Sequence, residues 1–190
     1  MEAVKIVVTC ILAAIVYGIV HDQVTARVCV EYFTIGHPRI FATESPTLLG
    51  IGWGIVATWW VGLPLGVLLA IAARCGRGPR RTVRSLLRPI AILLGCMAAL
   101  ALAAGLLGYA LARSGKVALT GSWLTAIPEG RHAGFIADLW AHNASYLAGF
   151  VGGLVLVVLV ARSRERVARS NRSVGSGEPD SAMPTRAGPR

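Results

Sequence analysis

All four histidines of the chain, His21, His37, His132 and His142, fall in two stretches, residues 21–47 and 113–145, which also hold Asp22, Glu31, Glu44, Glu129 and Asp138. Imidazole is the commonest metal ligand and the side chain best suited to give and take protons near neutral pH. Histidines beside carboxylates can therefore hold a divalent metal ion or act as a general acid and base. Asp138 and His142 stand one helical turn apart, so the carboxylate can orient the imidazole or share an ion with it. At about 100° per residue His132 points about 80° away from His142, and these two histidines do not form a HExxH-like pair. A competent site needs His21 or Asp22 to meet Asp138 and His142. These four are the candidate metal ligands, and with Glu31 they are the candidate catalytic residues.

Each has a structural reading as well. His21 and Asp22 end an apolar run and suit a water boundary. His37 precedes Pro38 and reads as a turn residue, and His132 after Gly130 reads as solvent-facing. Glu31 reads as an ion-pair partner of Arg27. The local fold around them is open. Val24, Ala26, Val28, Val30 and Tyr32 alternate with Thr25, Arg27, Cys29 and Glu31, a strand-like period, yet Arg27 and Glu31 are also four apart, as on a helix.

The composition tells what must position these residues. Of the 190 residues 55% are apolar and 15% charged, and the mean hydropathy is +0.63, too apolar for a soluble domain of this length. Apolar runs over residues 4–20, 47–73, 90–112 and 145–161 can each cross a hydrocarbon core about 30 Å thick at about 1.5 Å per residue, the first with help from its flanks. The expected fold is an all-α membrane protein, a four-transmembrane-helix bundle over residues 1–162 under a short ordered cap, strand or helix, with residues 163–190 a disordered basic tail. Ser45 and Pro46 mark a helix start, and Pro64 is expected to kink the second span. Lys5, a short apolar core and Val24-Thr25-Ala26 also resemble a secretory signal peptide, but His21 and Asp22 in the cleavage region favour an uncleaved span.

The net charge of +10 suggests nucleic acid only until its placement is considered. The arginines form two blocks beside apolar runs, Arg74 to Arg88 and Arg162 to Arg172, and no basic soluble module is present. That distribution predicts cytoplasmic termini, an Arg-rich cytoplasmic loop in contact with anionic lipid, and a non-cytoplasmic face that collects all the histidines. Cys10, Cys29, Cys75 and Cys96 are scattered, without a CxxC pair. Gly50 with Gly54, Gly62 with Gly66, and Gly149 with Gly153 predict close helix contacts, within the bundle rather than across a homodimer. Trp53, Trp123, Trp140 and Tyr146 fit an aromatic belt.

The stretch "YGIVHDQVTARVCVEYFT", residues 17–34, resembles a segment of an uncharacterised family of small bacterial membrane proteins of four predicted spans, in which HDQ and then EYFT follow the first span. The matching positions are His21, Asp22, Gln23, Thr25, Glu31, Tyr32, Phe33 and Thr34, and "DLWAHNASY", residues 138–146, is more weakly similar. The resemblance implies a multi-pass protein of the bacterial inner membrane and carries no catalytic role.

With no nucleotide-binding loop, nucleophile elbow, HExxH or CxxC, the leading expectation is an accessory protein that docks a membrane partner through its polar face. A metal-dependent or acid–base enzyme built on His21, Asp22, Asp138 and His142 is the alternative. A transporter subunit is disfavoured by the lack of acidic residues and lysines in the span interiors, and haem or quinone binding by His21 and His142 is a further alternative.

Overall fold

The computed structural model describes residues 1–76 and 78–175, and every regular element among them is helical. In chain order these are α1 (Glu2–Val28), α2 (Glu31–Thr34), α3 (Pro46–Val56), α4 (Trp59–Arg74), α5 (Val83–Arg113), α6 (Ser122–Ala126), a 3-10 turn (Glu129–Arg131) and α7 (His132–Gly175). Four stretches are long and apolar enough to cross a membrane: Glu2–Val28, Pro46–Arg74, Val83–Arg113 and Glu129–Asn171. Ser45 and Pro46 do start α3, but the Ser45 side chain makes no cap bond, and its N–H donates to Thr43 Oγ1 at 3.1 Å. Pro64 lies within α4, and helical geometry is interrupted between α3 and α4 at Ala57 and Thr58.

The strand reading of residues 24–32 is corrected. α1 continues to Val28, and after a turn at Cys29 the chain forms α2. Asp22, Thr25, Ala26 and Cys29 face inward, a spacing of three and four that matches a helix, while Val24 and Val28 stay exposed. The alternation of β-branched residues was real, but the burial pattern follows the helical period, and tertiary packing overrides strand propensity. The Arg27–Glu31 pair is also corrected. Arg27 donates to Gln23 Oε1 at 2.7 Å and Thr47 Oγ1 at 2.9 Å, while Glu31 pairs with Arg131 at 3.1 Å. α7 carries residues 163–175 as helix, and the remainder of the expected disordered tail lies outside the described residues.

The bundle is two helical pairs. α1 packs along α3 and α4, α5 packs along α7, and α4 joins the halves by resting on α7, while α1 and α5 touch only sparsely. Glycine sets the first pairing. A Cβ on Gly54 would strike the backbone of Gly18 and Ile19, one on Gly50 would lie 3.0 Å from the Asp22 carbonyl, and one on Gly62 would lie 2.9 Å from the Cys10 carbonyl. Backbones this close hold α1 in one rotation against α3 and α4, with His21 and Asp22 turned by the same constraint.

The apolar core lies at the two ends. One cluster contains Ala26, Phe33, Leu49, Trp53, Phe135 and Ile136, and the other Ile6, Leu69, Ala73, Leu86, Ile90 and Val160. Trp53, read from the sequence as a belt residue, is buried in the first. Arg164 closes the second. It is 3% exposed, and its guanidinium donates to four carbonyls at the end of α4 and beyond: Ala72 and Cys75 at 2.5 Å, Pro79 and Gly78 at 2.8 Å. An arginine counted among topological charges is thus also the cap that ties α7 to the end of α4.

Candidate functional site

Five polar side chains are brought to the interface of α1 and α7, about one turn apart on each helix. From α1, Tyr17 and His21 are four residues apart on one face, with Asp22 beside them. From α7, His142 and Ser145 are three apart. Tyr17 Oη and Ser145 Oγ share a hydrogen bond of 2.8 Å, and His142 Nε2 lies 3.1 Å from Asp22 Oδ1. The ring of His142 meets His21 edge-on with centroids 4.5 Å apart, and His21 stacks on Tyr17 at 5.9 Å. Asp22 and His142 are buried, at 4% and 6% exposure.

The hydrogen bonds of His142 fix a proton count. Its Nδ1 donates to the backbone carbonyl of Asp138 at 2.8 Å, since a carbonyl can only accept. With one ring proton used there, Nε2 bonds to Asp22 only if the pair holds a second proton. That proton sits either on Nε2, giving an imidazolium beside a carboxylate, or on Asp22, giving a neutral ring beside an acid. Both forms carry zero net charge, which is how two ionisable groups can be buried together without an uncompensated charge.

The sequence expected Asp138 to orient His142, and it does, though through its main chain. The side chain that faces the imidazole is Asp22, from another helix. The Asp138 carboxyl is turned away, next to the backbone amide of Cys29, with Oδ2 buried and without a partner. Of the five candidate residues, His21, Asp22 and His142 come together, each offering a ligand atom within 4.8 Å of the others'. Asp138 adjoins them, and Glu31 does not: its carboxylate is held between Arg131 and the Cys29 thiol.

His21 Nε2 is buried without a partner. A tetrahedral ion with bonds of about 2.0–2.2 Å would draw its ligands to roughly 3.3 Å of one another, so these side chains need small rotations to close on one. Two imidazoles and a carboxylate leave positions for water or substrate, the ligand count of catalytic rather than structural sites. A cavity of about 110 Å³ opens beside them, and Tyr17, His21, Asp22, His142, Ser145 and Tyr146 are among its lining residues. Tyr146 was read from the sequence as a belt residue. Tyr17 and Ser145 were not singled out, although their helical spacing to His21 and His142 was available.

Above the centre, Tyr32 packs its ring 4.4 Å from His142 and 4.8 Å from His37, and His37 packs 4.6 Å from Trp53. His37 Nδ1 donates to the Tyr32 carbonyl at 2.8 Å, and burial holds its imidazole below the ordinary range against that bond's opposing effect. His37 is therefore a neutral strut, as a turn residue would be. His132 is half-buried and bonded to the Ile127 carbonyl at 2.9 Å rather than turned to solvent. Burial, with Glu31 accepting its S–H, pushes the Cys29 thiol up to about 12, so it is no nucleophile.

No family model matches the chain, and no curated protein or solved structure is detectably similar to it.

Proposed function

We propose that the chain is a multi-pass membrane enzyme whose α1–α7 interface holds a divalent metal ion on His21, Asp22 and His142, for hydrolytic or acid–base chemistry on a lipid-borne substrate. One observation carries this reading: three ligand-bearing side chains from two helices lie within 4.8 Å of one another beside a cavity, and one ring nitrogen among them is buried without a partner. The ion would polarise a bound water or substrate oxygen, with Tyr17 and Ser145 close enough in the lining to orient what enters. Orientation follows the arginines: N and C termini and the loop after α4 in the cytoplasm on anionic lipid, His37 and Trp53 on the other side, in the inner membrane of a bacterium. The likeness of residues 17–34 to small bacterial four-span proteins supports that location.

Elemental analysis of detergent-purified protein, beside His142→Ala and Asp22→Asn, tests the assignment. About one equivalent of zinc, manganese or iron that falls at least tenfold in both variants is expected. Metal-free protein that takes up none of these ions on titration would sink it, and a Soret band would assign the histidines to haem instead.

A second reading has an observation of its own. The Asp22–His142 bond and the ring packing of Tyr32, His37 and Trp53 form a complete rigid lid without any ion. An accessory protein that presents this lid to a membrane partner would use it so. In that case Asp22→Asn lowers stability and partner binding together, with no metal in either form.

A further inference from the structure

The sparse contact between α1 and α5 leaves a cleft of about 530 Å³ with α7 as its floor, well within the size range of small-ligand sites. Its walls are apolar: Val20, Val24 and Val28 on α1 face Ala101, Leu102 and Leu106 on α5. Gly105 lets α5 approach the α7 floor closely, since a Cβ there would lie 3.3 Å from the Ala137 carbonyl. The valines and leucines at the mouth are 42–62% exposed, so the cleft opens sideways, along the flank of the bundle rather than at an end. A lateral opening in a spanning bundle faces lipid chains, not water.

The floor is different. Asp138 lines the cleft at 1% exposure with Oδ2 unpartnered, and His21 lines it with Nε2 unpartnered. A buried acceptor without a donor costs free energy until something donates to it. What enters must therefore be apolar along its length and carry a hydrogen-bond donor at its deep end. A carboxylate or phosphate head is disfavoured, because it would bury its charge in an apolar cleft whose lining holds no lysine or arginine to pair it. A hydroxyl suits the Asp138 oxygen, to which it can donate.

We infer that the α1–α5 cleft binds a single-chain lipid bearing a hydroxyl head, with the hydroxyl donating to Asp138 on the stretch of floor that Asp138 shares with His21. The inference rests on the proposed function for the reason such a ligand would be there: His21 also lines the cavity beside Asp22 and His142, so the head arrives at the wall of the candidate centre.

The test uses the full chain in lipid nanodiscs and three diazirine probes of equal chain length: a long-chain alcohol, the corresponding fatty acid and the corresponding alkane. The alcohol is expected to label α1 and α5 about tenfold more than the alkane or the acid, the size of one good buried hydrogen bond, and unlabelled alcohol should compete. Val24→Trp with Ala98→Trp, both at exposed positions on the cleft, should abolish the labelling while the protein elutes and melts as wild type. Asp138→Ala should keep labelling but lose the preference for alcohol over alkane. Equal labelling by all three probes, or labelling that survives the double tryptophan variant, overturns the inference. Metal content is measured on the same samples. Selective labelling of metal-free protein would leave the cleft and remove the metal reading, whereas one equivalent of metal with unselective labelling would do the reverse.

Discussion

The two ends of the bundle bury polar side chains in opposite ways. At the arginine-rich end, Arg164 is enclosed and its guanidinium reaches four carbonyls from residues 72–79, so each of its three nitrogens is bonded. At the other end, the Asp22–His142 pair is bonded, but His21 Nε2 and Asp138 Oδ2, its neighbours, are buried without partners. Saturation marks a side chain that holds structure together. An unsaturated buried group costs stability, and its persistence between two cavities is what distinguishes a site from a strut.

If that contrast is right, the variants separate cleanly. Arg164→Met strands four carbonyls and should destabilise the protein most, by about 3 kcal/mol or more in detergent unfolding, with metal affinity in the surviving folded fraction unchanged. Arg164→Lys should recover only part, because an ammonium cannot reach all four acceptors. A metal affinity that dropped with Arg164 would mean that the two ends are coupled and the comparison is mistaken.

His142→Ala removes both a ligand and two hydrogen bonds, so stability should fall by about 2 kcal/mol together with metal binding. His21→Ala sharpens the point. Its free nitrogen stabilises nothing by hydrogen bonding, and the variant should lose metal at least tenfold while stability changes by less than about 1.5 kcal/mol, read by calorimetry beside metal titration. Metal uptake by wild type should also release the proton held between His142 and Asp22, about one per ion, visible as a buffer-dependent heat.

Glu31→Gln breaks a half-exposed pair with Arg131 and should cost about 1 kcal/mol or less, with no change in metal content. The smallest effect concerns pH. Because the folded imidazole of His37 titrates below its usual value of about 6.5, its contribution is present above that pH and is lost as pH falls through the lower folded value. Protection factors over residues 31–45, referred to the intrinsic exchange rate at each pH, should fall on acidification below about pH 6.5, and His37→Gln should flatten that dependence. An unaltered profile in the variant would assign the acid sensitivity to other groups.

The particular residues show how far the sequence reaches. Four long apolar helices and the start of one at Pro46 were legible, because hydropathy and length are properties of a local run, and the candidate ligands His21, Asp22 and His142 could be named from residue type alone. Close helix contacts at Gly50, Gly54 and Gly62 were legible too, since small residues at a spacing of four leave a groove on any helix, but that α1 fills the groove was not. Glu31 was misassigned to Arg27, and Val24 to Tyr32 stayed open between strand and helix, because two periods fit the same short stretch.

What only the tertiary structure decided is which side chains face one another. That Asp22 rather than the Asp138 carboxyl meets His142, that Tyr17 finds Ser145, and that Arg164 leaves solvent for the end of α4 all depend on helix rotation and depth. Sequence determined the helices and the kinds of residue each presents. Their pairing was set by contacts between segments distant in the chain, the backbone approach of Gly54 to Gly18 and the side-chain bond of Asp22 to His142 among them, and no local window contains that geometry.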